Sequence, residues 1–146
     1  MKKLLTMSLT AGIALALSGC TATNAPSVSM SDAVKANEKA VCDVKANGIE
    51  TVIATAKAYN AIAKKEGVEF RRLGINNSSA ITAVEEGIKS GAKTVKPLDV
   101  KKKAKQEFDI NFAAERACKF AIGALKQKHE SATQYRDAIP GDGYKY

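Results

Sequence analysis

From Ser31 to about Glu66, apolar residues recur at the spacing of one helix face. Val34, Val41, Val44, Ile49, Val52, Ile53, Ala56, Tyr59, Ile62 and Ala63 share one broad side at about 100° per residue, with Lys39, Asp43, Glu50, Lys57 and Lys64 on the other. The pattern predicts one long amphipathic helix, N-capped by Ser31 or Asp32 and stopped by Gly67, which suits the left-handed position after a helix end. Gly48 falls inside it at a cost of about 1 kcal/mol relative to alanine, and marks a close helix contact, a bend or a break into two helices.

Val68 to Asn77 admits two readings: Val68, Phe70, Leu73 and Ile75 either anchor a loop against the core or extend briefly as a strand. Asn76-Asn77-Ser78-Ser79 is a turn and cap cluster ahead of a shorter helix from about Ser79 to Ser90. That helix turns Ile81, Val84 and Ile88 inward, carries a capping box in Thr82-Ala83-Val84-Glu85, and ends at Gly91. Pro97 interrupts the chain beyond Gly91, and Asp99 is placed to cap another helical start.

A lysine-rich stretch then leads through Phe108 and Phe112 into a last helix. Its inward stripe is Ala114, Cys118, Ala121, Ile122, Leu125, His129 and Ala132, with Glu115, Lys119, Lys126 and Glu130 facing away. Phe108 and Phe112 project from a different side than Cys118. Either the chain breaks near Asp109, which then caps a new helix, or this helix is buried on two faces. Strand signals are nearly absent, and neither an internal repeat nor a sustained heptad is present. The expected fold is all-α: a small helical bundle over residues 31–138 with long first and last helices, followed at 139–146 by a flexible tail containing Pro140, Gly141 and Gly143.

A leader precedes this domain. Met1-Lys2-Lys3 is followed by a mostly apolar run from Leu4 to Leu17, too short and too interrupted by serine and threonine for a transmembrane helix of about 20 apolar residues. Leu17-Ser18-Gly19-Cys20 resembles the lipobox of bacterial lipoproteins at every position. The resemblance implies removal of residues 1–19, diacylglycerol on the Cys20 thiol and N-acylation of the new terminus. Several acyl chains at about 0.8 kcal/mol per buried methylene make such attachment effectively permanent. Thr21, where an aspartate retains Gram-negative lipoproteins at the inner membrane, implies the outer membrane, with the domain on its periplasmic face. Residues 20–30, rich in Thr, Ser and Ala, read as a flexible tether.

Of the three cysteines, assigning Cys20 to lipid leaves Cys42 and Cys118 in a compartment where disulfides persist. An even remainder predicts a bridge that staples the first and last helices; the alternative is two buried free thiols. Neither lies in a Cys-x-x-Cys pair, which argues against thioredoxin-like redox activity.

Charge and chemistry refine this picture. The leader takes two of the 23 Lys and Arg, so the mature chain of 127 residues (146 less 19) holds 21 basic residues against 15 acidic ones, a net +6. Lysines dominate, whereas phosphate and base-edge recognition favours arginine; with the exported address, this argues against a nucleic-acid partner. Two basic features stand out as a candidate binding surface: Arg71-Arg72 between Phe70 and Leu73, and Lys101-Lys102-Lys103. Solubilising charge is the plainer account of both.

No hydrolase, zinc-protease or nucleotide-loop motif occurs, His129 is the lone histidine, and Glu85-Glu86 on a helix diverge by about 100°. The expectation is a non-enzymatic protein with no catalytic residues, no metal and no cofactor. Its partners are the membrane, through Cys20, and a protein of an envelope machine, by analogy with the small helical pilotins. The alternatives are a structural or protective envelope protein contacting anionic lipid or glycan through its lysines, and a phage- or plasmid-exclusion lipoprotein.

Overall fold

The computed structural model describes residues 26–99, 101–103 and 106–133. The leader, Cys20 and the tail 139–146 lie outside these residues. Helix makes up 66% of what is described, so the helical reading holds in outline, but the fold is not strictly all-α. Two short antiparallel ribbons interrupt it, and both occur where apolar and polar residues lose helical spacing.

Among the described residues the first elements are α1 (Met30–Lys35), α2 (Glu38–Val41) and α3 (Val44–Asn47), followed by α4 (Ile49–Lys65). The expected long first helix is therefore four pieces. Asp43, which reads as part of its polar face, acts instead as a cap, and Ser29 and Asn37 cap the two pieces before it. Ser29, rather than Ser31 or Asp32, starts α1 in a reciprocal capping box with Asp32. Asn37 caps α2 by accepting from Ala40 N, and Asp43 caps α3 by accepting from Lys45 N and Ala46 N. Short polar side chains offer the backbone these local alternatives, which is why they break a helix that periodicity alone would continue. Gly48, at φ +79, ends α3 and starts α4, so it marks a break. Gly67 stops α4 as expected: Gly67 N donates to Lys64 O and Val68 N to Ala63 O, a Schellman ending.

Residues 68–77 resolve as a hairpin. Strands β1 (Arg71–Arg72) and β2 (Ile75–Asn76) pair Arg72 with Ile75 across the two-residue turn Leu73-Gly74. Both turn residues have positive φ, +51 and +80, the requirement of the turns that match hairpin twist. Asn76 then caps α5 (Asn77–Ser90) by accepting from Ser79 N, so Thr82 and Glu85 are interior residues rather than a capping box. Gly91, in the left-handed region, ends α5.

Strand β3 (Thr94–Val95) pairs with β4 (Phe108–Asp109). Asp99 starts no helix between them. Its carboxylate accepts from Lys101 N and Lys103 N at 2.9 and 2.8 Å, closing a tight turn in which Lys102 has φ +57. Asp109 accepts from Asn111 N and Phe112 N and begins α6 (Ile110–Thr133), the break that the displaced phenylalanines allowed.

Helix α6 is the central element, packed on α4 most extensively and on α1, α2, α3 and α5. Its buried residues, Ile110, Ala113, Ala114, Ala117, Cys118, Ala121, Ile122 and Leu125, follow one face without a gap. Four alanines in that row bring the neighbouring backbones close. The stripe stops at Leu125; His129 and Ala132 are exposed. Lys126 does not simply face away: it donates to Ala36 O at 2.7 Å and pairs with Glu38 at 3.2 Å.

Cys42 and Cys118 are bridged, 5.6 Å apart at Cα and fully buried. Cys42 is the C-cap of α2, so the bridge joins the broken N-terminal segment, rather than a long first helix, to the middle of α6. Gly87 marks another close approach: a Cβ there would lie 2.7 Å from Val95 Cγ1 and 2.9 Å from Ile110 Cδ1, so any larger residue would force those side chains to shift where α5 meets β3 and the start of α6. No helix among the described residues is long and apolar enough to cross a membrane.

Candidate functional site

Phe112, Arg116 and Phe120 succeed one another at intervals of four on α6, and Phe108 precedes them at the same interval from β4. On a helix this spacing makes one row, and the row lies off the buried alanine stripe. The Arg116 guanidinium sits over three rings, 5.0 Å from the centroid of Phe120, 5.6 Å from Phe108 and 5.8 Å from Phe112. Each distance falls within cation–π range, a contribution of about 0.5–1 kcal/mol at exposed sites. Phe70, just before β1, stacks on Phe120 at 3.9 Å.

The hairpin leaves an apolar groove of about 250 Å³ between itself and this row. Ala80, Ala113 and Ala117 are lining residues too small to fill it, while Phe70, Phe108, Phe120 and Pro97 supply bulk. Arg72 and Arg116 are the charged residues lining it. No carboxylate pairs with either among the described residues. Leu73, at the tip of the hairpin, lines the groove and is 82% exposed.

A polar clamp positions the hairpin. Asn77 N donates to Phe70 O at 2.9 Å, closing its base. One Glu69 oxygen accepts from Ser78 N at 2.8 Å, from the Ser78 hydroxyl and from Asn60 Nδ2 at 3.1 Å. Asn77 Nδ2 in turn donates to Asn60 Oδ1 and to Ala117 O, tying α4, α5 and α6 together beneath the groove. Asn77 Oδ1 is buried with no donor among the described residues.

Partial burial opposes ionisation of Glu69, but the hydrogen bonds from Ser78 and Asn60 outweigh it and hold the carboxyl below its usual range. A depressed carboxyl contributes stability that is present above the unfolded-state value, 4.5, and is lost as pH falls through the folded-state value. Asp32 and Glu66 act with the same sign, lowered chiefly by hydrogen bonds from Ser29 and Lys128 respectively. Thermal midpoints between pH 6 and pH 3 should therefore be level at first and decline below about 4.5. Glu69→Gln should flatten that decline. An equally steep fall in the variant would show that the clamp does not depend on this carboxylate's charge.

Among the residues that sequence alone marks for binding, Arg72 lines the groove. Arg71 lies on the outer side, in a shallow depression with Lys64, Gly67 and Glu69. Lys101, Lys102 and Lys103 are exposed on the Asp99 turn and are not among the lining residues. The turns beside the two basic features nonetheless abut, because a Cβ at Gly74 would lie 3.6 Å from Asp99 Cβ. Charge clustering and helical periodicity alone single out neither Arg116 nor the clamp. The four-residue row of three phenylalanines and an arginine is the signal that could have found Arg116. Glu85 is engaged by Lys57 at 2.7 Å, and no cluster of His, Cys, Asp or Glu among the described residues could hold a metal.

Fold and site together define a mostly helical, disulfide-bridged domain carrying an arginine-lined apolar groove. No family model matches the chain, and comparison with curated proteins and with solved structures finds no match either.

Proposed function

We propose that the protein is a lipid-anchored accessory protein of the bacterial cell envelope, held at the outer membrane through Cys20 and working by binding another envelope protein. The observation that carries the proposal is the buried Cys42–Cys118 bridge. Disulfides persist in exported proteins, and this pairing leaves Cys20, in its lipobox-like setting, as the cysteine available for lipid. The groove supplies a concave apolar surface with a few convergent polar groups, the usual form of a binding site. Val28 already packs against the core, so the chain from residue 20 to residue 28 spans at most about 29 Å when fully extended. Partners would then lie close to the membrane surface.

Fractionation of cells producing the wild type and Cys20→Ala tests the anchor. The wild type is expected in the outer-membrane fraction, with an intact mass that includes diacylglycerol and an N-acyl group. The variant should lose both the lipid and the membrane association. A wild-type chain without acyl mass in the soluble fraction, or with two alkylatable thiols after denaturation, would sink the proposal.

A further inference from the structure

We propose that the groove between the hairpin and α6 binds an acidic peptide segment, seating one bulky apolar side chain and pairing an adjacent carboxylate with Arg72 and Arg116. This rests on the binding role proposed above and gives the partner its chemistry. Three observations lead to it. The first is size: about 250 Å³ is below the usual 300–1,000 Å³ of small-molecule pockets, and suits a single anchoring side chain. The second is charge. The lining contains two guanidiniums and no carboxylate; Glu115, in an adjoining depression with both arginines, pairs with Lys119 at 3.2 Å instead, and a guanidinium matches a carboxylate in bidentate geometry. Stacking on three phenylalanines orients Arg116 without neutralising it. Lys101, Lys102 and Lys103, on the turn that abuts the hairpin, extend the positive field to a longer range.

The third observation is the hairpin tip. Leu73 is held at φ +51, in the left-handed region that a branched side chain rarely adopts, and stays 82% exposed beside the groove. The hairpin turn accounts for the positive φ, but residues in such sparsely populated conformations also cluster at ligand clamps. An anchor seated in the groove would be covered by Leu73, removing both apolar surfaces from water. The concave shape favours a side chain over a flat bilayer surface as the occupant.

The full chain with Cys20→Ser, purified without lipid, is panned against a random-peptide display library, so the outcome is independent of anchoring. Enriched peptides are expected to share an aromatic or large aliphatic residue next to Asp or Glu. In fluorescence anisotropy, Arg72→Glu and Leu73→Ser should each weaken the best such peptide by about tenfold or more. Both positions are exposed, so circular dichroism should show an unchanged fold. Lys45→Glu, on exposed α3, should bind nearly as the parent does. No enrichment of this pattern, or undiminished binding by both variants, overturns the proposal. Flotation with anionic phosphatidylglycerol vesicles that the same substitutions abolish, without peptide binding, assigns the surface to lipid instead. Dimerisation abolished by Leu73→Ser, or peptide binding seen only after deletion of residues 134–146, assigns the groove to a second copy or to this chain's own end, and likewise overturns it.

Discussion

Removing the bridge, by Cys42→Ala together with Cys118→Ala, is expected to lower the unfolding free energy by about 4–5 kcal/mol. The size follows from the separation of 76 residues: a cross-link acts mainly by restricting the unfolded chain, and the restriction grows with the logarithm of the loop closed. Both sulfurs are fully buried, so their loss also leaves small cavities. A domain of this size holds roughly 5–15 kcal/mol in total, and the variant is marginal at the lower end of that range. Urea unfolding followed by circular dichroism would measure the difference, and the reduced wild type should fall beside the double variant. A loss below about 1 kcal/mol would show that the unfolded chain is restricted in some other way.

Ile122→Ala should cost about 2–5 kcal/mol, toward the upper part of that span. Ile122 has no exposed surface, and it lies on the helix that every other helix among the described residues touches. Because α6 packs against all five other described helices, a cavity on its buried face is expected to collapse only in part. His129→Ala, two turns further along the same nominal stripe, is the matched control. His129 is exposed, and its replacement should change stability by no more than about 0.5 kcal/mol. Equal costs at the two positions would contradict the end of the buried face at Leu125.

That pair also shows what periodicity conveys and what it does not. The interior of α4 and the stripe from Ala114 to Leu125 were legible because burial repeats at helical spacing. The stripe's end was not, since nothing in His129 or Ala132 reveals where the neighbouring helices stop. Gly67, Gly91 and Asp109 were readable as boundaries because each has a local conformational or capping preference. Asn37 and Asp43 have the same capping ability, but both fell inside a convincing helical pattern, and capping prevailed over continuation there.

Strands of two residues are too short for a period-two pattern to register, and Leu73 is an unexpected residue for a turn needing positive φ. The groove was legible only in part. Arg72 stood out through its charge beside Arg71, whereas neither charge clustering nor periodicity marks Arg116. Its row with Phe108, Phe112 and Phe120 gains meaning only once the hairpin lies opposite it.

Because Cys42 and Cys118 are joined, the chain between them is a closed covalent ring, and two tails leave from a single point on it. A pull between the N-terminal side, where the proposed anchor lies, and the far half of α6 is borne by the sulfur–sulfur bond. Neither the hairpin, α4 nor α5 lies along that line of force. Every residue lining the groove except Phe120 belongs to the ring. Tension running the length of the molecule would therefore bypass the groove, leaving its shape intact under a load that would stretch an unbridged chain.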